Sequence, residues 1–107
     1  MEERRRYPRV NISFPVECKS LPQGNYFYTV SKDLSSGGIK IISDTFLPKD
    51  YLMKVYVNLV DTVINLKAKV AWCNKLRASE KYNAGLEFVE ASNESQQSIS
   101  QFLAKVN

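Results

Sequence analysis

The chain has 107 residues, 44% hydrophobic and 11% aromatic, which suits one small domain with a modest core and leaves little material for a second lobe. No apolar run approaches the roughly 20 residues that cross a bilayer, and charged Glu2 to Arg6 deny the start the apolar stretch of a secretory signal; the expectation is a cytoplasmic protein without membrane insertion. Net charge is +4, with four arginines against two glutamates in the first nine residues, so the positive field gathers at one end and favours an anionic partner without bearing on fold.

From Asn11 onward, short β-rich runs alternate with turn residues. In "NISFPVECKS" Ile12, Phe14, Val16 and Cys18 form an apolar face, and Pro15 predicts an edge position or a bulge. "LPQGN" reads as a turn, and "YFYTVS" as an aromatic, β-branched strand that ends at "KDLSSGG". "IKIIS" resumes the strand, and "DTFLPKD" is a loop. "YLMKVYVNLV" and "VINLKAKVAWCNKL" then form a hairpin turning near Asp61 and Thr62. In its second arm Ile64, Leu66, Ala68, Val70 and Trp72 share one face, while Asn65, Lys67, Lys69 and Ala71 share the other. "RASEKYN" connects to a last strand, "AGLEFVE", with Leu86 and Phe88 pointing one way and Glu87 the other.

A helical period appears only at the C-terminus, where Ile99, Phe102, Leu103 and Val106 fall at i, i+3, i+4 and i+7. Ser92 or Asn93 caps its start, and Glu94 suits the positive end of the helix. Six short antiparallel strands must close or stack to hide their edges. The predicted fold class is therefore mainly β: a small six-stranded antiparallel barrel over 11–90 with a C-terminal helix, 92–106, packed on it. Residues 1–10 form a flexible N-terminal arm within a single domain of 1–107.

Histidine is absent, which removes the commonest general base and metal ligand. Acidic residues are scattered, no Walker loop or GxGxxG precedes a helix, and Ser35 and Ser36 lack a base. Cys18 and Cys73 show neither a metal-knuckle nor a CxxC spacing and read as reduced thiols. The expectation is a protein that is not an enzyme and uses no metal or cofactor.

Two stretches are rich in groups that grip anions. In Arg5-Arg6-Tyr7-Pro8-Arg9, two arginines lie four apart, and guanidinium forks bind phosphate oxygens or the O6/N7 edge of guanine in bidentate fashion. Pro8 opposes a helix there. In Asp33-Leu34-Ser35-Ser36-Gly37-Gly38 an acidic side chain can accept from guanine N1–H and N2–H, a hydroxyl can reach a phosphate or base, and glycine permits close backbone approach. Taken alone, the first reads better as a solvated basic tail and the second as an ordinary hairpin turn. Trp72, Tyr26, Tyr28, Tyr51, Tyr56 and Phe88 sit in alternating strands, and so read as core or sheet surface rather than a stacking platform.

Together the two stretches resemble the PilZ-domain family of cyclic di-GMP receptors, whose signature is RxxxR followed by (D/N)xSxxG on a small antiparallel barrel. Arg5 and Arg9 match the first motif; Asp33, Ser35 and Gly38 match the second; "YNAGLEF", with Gly85 and Phe88, is similar to a further family pattern. The resemblance spans nearly the whole chain. It implies that the arginine segment folds over the barrel mouth and that Arg5 and Arg9 hold phosphates and guanine edges. Asp33 and Ser35 would read a guanine, and Gly38 would keep the turn open for the ligand. Arg4 precedes RxxxR, where a cation would help neutralise a stacked pair of dianions, and Arg6 lies between the motif arginines. The implied ligand set is therefore Arg4, Arg5, Arg6, Arg9, Asp33, Ser35 and Gly38 around cyclic di-GMP, with two ligands per protomer favoured.

The resulting function is a non-catalytic receptor that relays its signal to an unidentified downstream protein by ordering the arm, with no DNA or RNA expected. Two alternatives stand beside it. One is a basic barrel that binds single-stranded nucleic acid, and the other is a PilZ adaptor that binds no nucleotide.

Overall fold

Residues that alternate apolar with polar can bury one side of a strand and wet the other, and a sheet with one wet face is most economical when it closes on itself. The computed structural model describes residues 13–21, 24, 26–59 and 62–106. It contains β1 (Phe14–Ser20), β2 (Tyr26–Lys32), β3 (Gly38–Ser43), β4 (Leu52–Asn58), β5 (Val63–Lys75), β6 (Tyr82–Ala91) and α1 (Asn93–Val106). Every neighbouring pair is antiparallel, and the order β1-β2-β3-β6-β5-β4 forms a closed barrel through the pairing of β1 with β4. The six-stranded barrel with a C-terminal helix expected from the sequence is thus the fold.

Phe14, Val16 and Cys18 of β1, Met53, Val55 and Val57 of β4, and Ile64, Leu66, Ala68 and Val70 of β5 are buried and fill the interior. Pro15 pairs with Val30, but the β1–β4 ladder starts only at Val16↔Val57, so the proline sits at a local edge where its missing N–H is tolerated. Leu59 N–H donates to the Thr62 carbonyl at 2.8 Å and Asn58 pairs with Val63, which closes the β4–β5 hairpin where the sequence places it; Asp61 lies outside the described residues.

Ser92 caps α1: its Oγ accepts the Ser95 N–H at 3.0 Å, and its carbonyl accepts the Gln96 N–H at 3.0 Å. Glu94 stands in the first turn and Lys105 in the last, each at the helix end of opposite partial charge. Ile99 and Leu103 are buried in the core, and Phe102 meets Phe14 edge-on at 5.1 Å, so the helix covers the barrel beside β5 and β6. Val106 ends the helix, and its side chain lies outside the described residues.

Two expectations need correction. Trp72 does not continue the buried face of β5: the β5–β6 register shifts between Val70 and Trp72, which turns the indole outward to 40% exposure. The strands are also longer than their alternation suggests. β6 starts at Tyr82, and the connection shortens to Leu76–Lys81, closed by Leu76 N–H donating to the Lys81 carbonyl at 2.9 Å.

Both cysteines are free thiols. Burial, aided by the Glu17 carboxylate, pushes Cys18 from about 9 up to about 12. Ser31 Oγ is fully buried and has no hydrogen-bond partner among the described residues.

An unpaired buried hydroxyl costs about 1–3 kcal/mol, so Ser31→Ala is expected to stabilise the protein, raising Tm by about 4–8 °C for each kcal/mol recovered; a lower Tm in calorimetry would contradict the orphaned hydroxyl. Because the folded Cys18 thiol keeps its proton where the unfolded thiol loses it, stability intact below pH 9 should fall as pH rises from about 9 to about 12, by up to about 1.4 kcal/mol per pH unit. Urea unfolding at pH 8 and pH 10.5 checks this, with Cys18→Ala expected to lessen the drop.

Candidate functional site

The β2–β3 connection owes its shape to its sequence. Asp33 adopts a left-handed conformation (φ 55°), which aspartate tolerates better than most side chains. That turn drops Leu34 into the core at 0% exposure and brings Ser35 over the next residues. Ser35 Oγ accepts the N–H groups of Gly37 at 3.2 Å and Gly38 at 3.3 Å, while the Ser35 N–H donates to the Gly38 carbonyl at 3.0 Å. The hydroxyl thus holds the turn itself. Phe88 N–H donates to the Gly37 carbonyl at 3.0 Å, which fastens the loop to β6.

Gly38 begins β3 opposite Glu87. A Cβ there would lie 2.4 Å from the Leu86 carbonyl oxygen, a backbone atom that can move only if the ladder opens. Close strand approach is therefore the structural reason for glycine at this position. Gly85 is the second such point: a Cβ would lie 2.3 Å from Trp72 Nε1, because the indole covers this residue. Lys40 pairs with Gly85, and Gly85 with Trp72, so Lys40, Gly85 and Trp72 form one row across β3, β6 and β5.

These features border a cleft of about 380 Å³ on the barrel's outer wall, lined by Asp33, Ser35, Gly38, Lys40, Trp72 and Glu87 among others. Lys40 Nζ lies 2.9 Å from Asp33 Oδ2, with the two side chains 33% and 22% exposed. The cleft therefore combines a partly shielded carboxylate, an adjacent ammonium, a hydroxyl and an open aromatic ring. Such a set can bind a flat, polar heterocycle by stacking and by its edge.

Of the residues expected from the sequence, Asp33, Ser35 and Gly38 come together here. Arg4, Arg5, Arg6 and Arg9 lie outside the described residues. Lys40 and Trp72 are additions to the site. Strict alternation puts Trp72 on the wrong face because it carries no sign of the register shift, and a lysine on an alternating strand carries no signal by itself. Tyr28, 76% exposed, stands instead on β2, where the Glu17 carboxylate raises its phenol pKa. A larger concavity of about 610 Å³ between the start of β5 and α1 is lined by residues such as Asn65, Ser95 and Gln101, and the described residues bring neither an aromatic ring nor a cation to it. Among the described residues no cluster of His, Cys, Asp or Glu could hold a metal, and no helix is long and apolar enough to cross a membrane.

A sequence model described as PilZ domain matches residues 3–105. No curated protein matches the chain significantly. Among solved structures, the Bacillus subtilis inhibitor of motility MotI/DgrA superimposes with a TM-score of 0.81 at 22% identity, covering 98% of this chain and 52% of that one. K. pneumonia MrkH gives 0.79 at 22% identity, covering 97% and 50%. The PilZ domain of Escherichia coli YcgR, solved with c-di-GMP, gives 0.74 at 17% identity, covering 96% and 91%. The chain spans about half the length of MotI/DgrA and MrkH and nearly all of the YcgR domain. At these identities the likeness establishes the fold.

Trp72 is the single tryptophan, so its fluorescence reports on the cleft. Gly85→Ala is expected to push the indole off β6 and shift its emission to the red while far-UV circular dichroism stays that of the barrel; an unshifted spectrum would show that the ring does not rest on Gly85.

Proposed function

The chain belongs to the PilZ domain family, and we propose that it is a non-catalytic cytoplasmic receptor for cyclic di-GMP that relays ligand capture to a partner protein. The observation that carries this reading is the cleft itself. Asp33 and Ser35 of the second motif share it with an exposed indole and an ammonium, a combination suited to a purine. Asp33 accepts from the Watson–Crick donors of one guanine, and Trp72 offers its face for stacking. Ser35, engaged with Gly37 and Gly38, shapes the turn and presents its oxygen at the rim. Arg5 and Arg9, with Arg4 and Arg6 beside them, supply bidentate donors for phosphates and for the Hoogsteen edge.

The YcgR domain solved with c-di-GMP and the MrkH–c-di-GMP complex, at 17% and 21% identity, support the same ligand class on this fold. The size of the cleft also favours a compact dinucleotide over a long single strand, which needs an extended track of stacking and phosphate contacts. Closure of the arginine segment over the wall would change the surface offered to a downstream protein, an order-on-binding device.

Titration calorimetry tests the assignment. Arg5→Ala, Arg9→Ala and Asp33→Ala are each expected to weaken cyclic di-GMP binding by roughly 5- to 150-fold, the equivalent of about 1–3 kcal/mol per good contact. The unsubstituted protein is expected to saturate at two ligands per chain. Unchanged affinity in all three variants would remove the clamp, and affinity rising with oligonucleotide length would replace the receptor with a nucleic-acid binder.

A further inference from the structure

We propose that Lys40, a residue of neither motif, is a specificity-determining residue that reads guanine O6 and, together with Asp33, makes the cleft select guanine over adenine. The inference rests on the cyclic di-GMP reading above and deepens it.

The geometry begins with strand register. Lys40 lies on the outer face of β3 directly opposite Gly85, which has no side chain to stand between it and the Trp72 ring on the far side. The ammonium is therefore drawn to the cleft rim, where Nζ meets Asp33 Oδ2 at 2.9 Å. Glu87 on the same wall faces Lys69 across the β5–β6 ladder, with Nζ 3.9 Å from Oε1, and Lys32 is the partner of Lys40 across β2–β3. An acceptor and a donor thus stand side by side at the edge of an aromatic surface.

Guanine carries the complementary sequence on one edge. Its N2–H and N1–H donate, and the adjacent O6 accepts. A carboxylate has acceptor sites on both oxygens, so a base can bind beside the ammonium, and lysine is a recognised donor to guanine O6 and N7. With N1–H and N2–H directed at Asp33, O6 falls on the side of Lys40. Adenine in the same pose presents its N6 amino donor to the ammonium and its N1 acceptor to the carboxylate, so both contacts turn repulsive. Discrimination of this kind arises as much from contacts denied to the wrong base as from those made to the right one.

The test measures binding of cyclic di-GMP, cyclic di-IMP and cyclic di-AMP to the full chain and to Lys40→Met, Lys40→Arg and Asp33→Asn. Hypoxanthine keeps O6 and N1–H but lacks the N2 amino group. Lys40→Met is expected to weaken cyclic di-GMP and cyclic di-IMP by the same factor, roughly 5- to 150-fold, and to narrow the preference over cyclic di-AMP. Lys40→Arg, which also donates to O6, is expected to restore most of that preference. Asp33→Asn should cost more with cyclic di-GMP than with cyclic di-IMP.

An unchanged guanine-to-adenine ratio in Lys40→Met overturns the role of Lys40 and leaves the receptor reading standing. Tighter cyclic di-GMP binding in that variant also overturns it, since Lys40 would then be a competitor for Asp33. Failure of the unsubstituted protein to bind cyclic di-GMP overturns both. Unaltered thermal unfolding of Lys40→Met separates these outcomes from a loss of fold.

Discussion

The outer wall of a small closed barrel is convex, and side chains projecting from adjacent strands ordinarily fill whatever hollow the pleat leaves. Here two residues lack the atom that would do so. At Gly38 the space of a Cβ is taken by the carbonyl of Leu86, and at Gly85 it is taken by the indole of Trp72. The first absence lets β3 run close to β6 at the point where the β2–β3 loop arrives, and the second lets a large ring rest on backbone. Asp33, Ser35 and Lys40 line the hollow that these two approaches border. The glycine of the second motif is thus explained by packing before any ligand is considered.

The frame around this hollow is set independently of it. The interior is filled by side chains from every strand, and α1 adds Ile99 and Leu103 to the same core. Fully burying such a residue is worth about 1.5–3 kcal/mol, so stability resides inside the barrel and at the helix contact. The cleft contributes none of those contacts apart from the roots of Ile39 and Leu86 at its floor. A site built this way combines the barrel backbone with side chains that are replaceable without unfolding, Gly38 excepted because a Cβ there meets backbone. It also leaves the interior dry, since a ligand on the outer wall enters no cavity in the core.

Period and punctuation made the frame readable from sequence. The alternation in β1, β4 and most of β5, the hairpin at Thr62, and the helical stripe through Ile99 and Leu103 are each a local pattern that burial then follows. Trp72 was not readable, because a register shift inverts the face of every later residue and leaves no mark in composition. Lys40 was not readable for a different reason. Its neighbour in space, Asp33, reaches it through a left-handed turn, and nothing in a lysine between two isoleucines announces an ion pair. The second motif was legible as a group because its spacing encodes one turn. The arginines of the first lie outside the described residues, so the meeting of the two motifs stays with the proposal.

The Asp33–Lys40 pair adds an argument about what that turn is for. Partly exposed ion pairs are worth about 0–1 kcal/mol, so this one adds little to the fold. The left-handed backbone at Asp33 carries a local cost of about 1–2 kcal/mol for an L-residue, relieved in part by a short polar side chain. A glycine there would remove that cost together with the carboxylate that meets Lys40. Lys67–Glu90 is an ion pair of the same kind between residues without left-handed backbone, and neither borders the cleft. Strain held beside a hollow, with a charge pair at its rim and an open ring across from it, is what a binding edge requires of its scaffold.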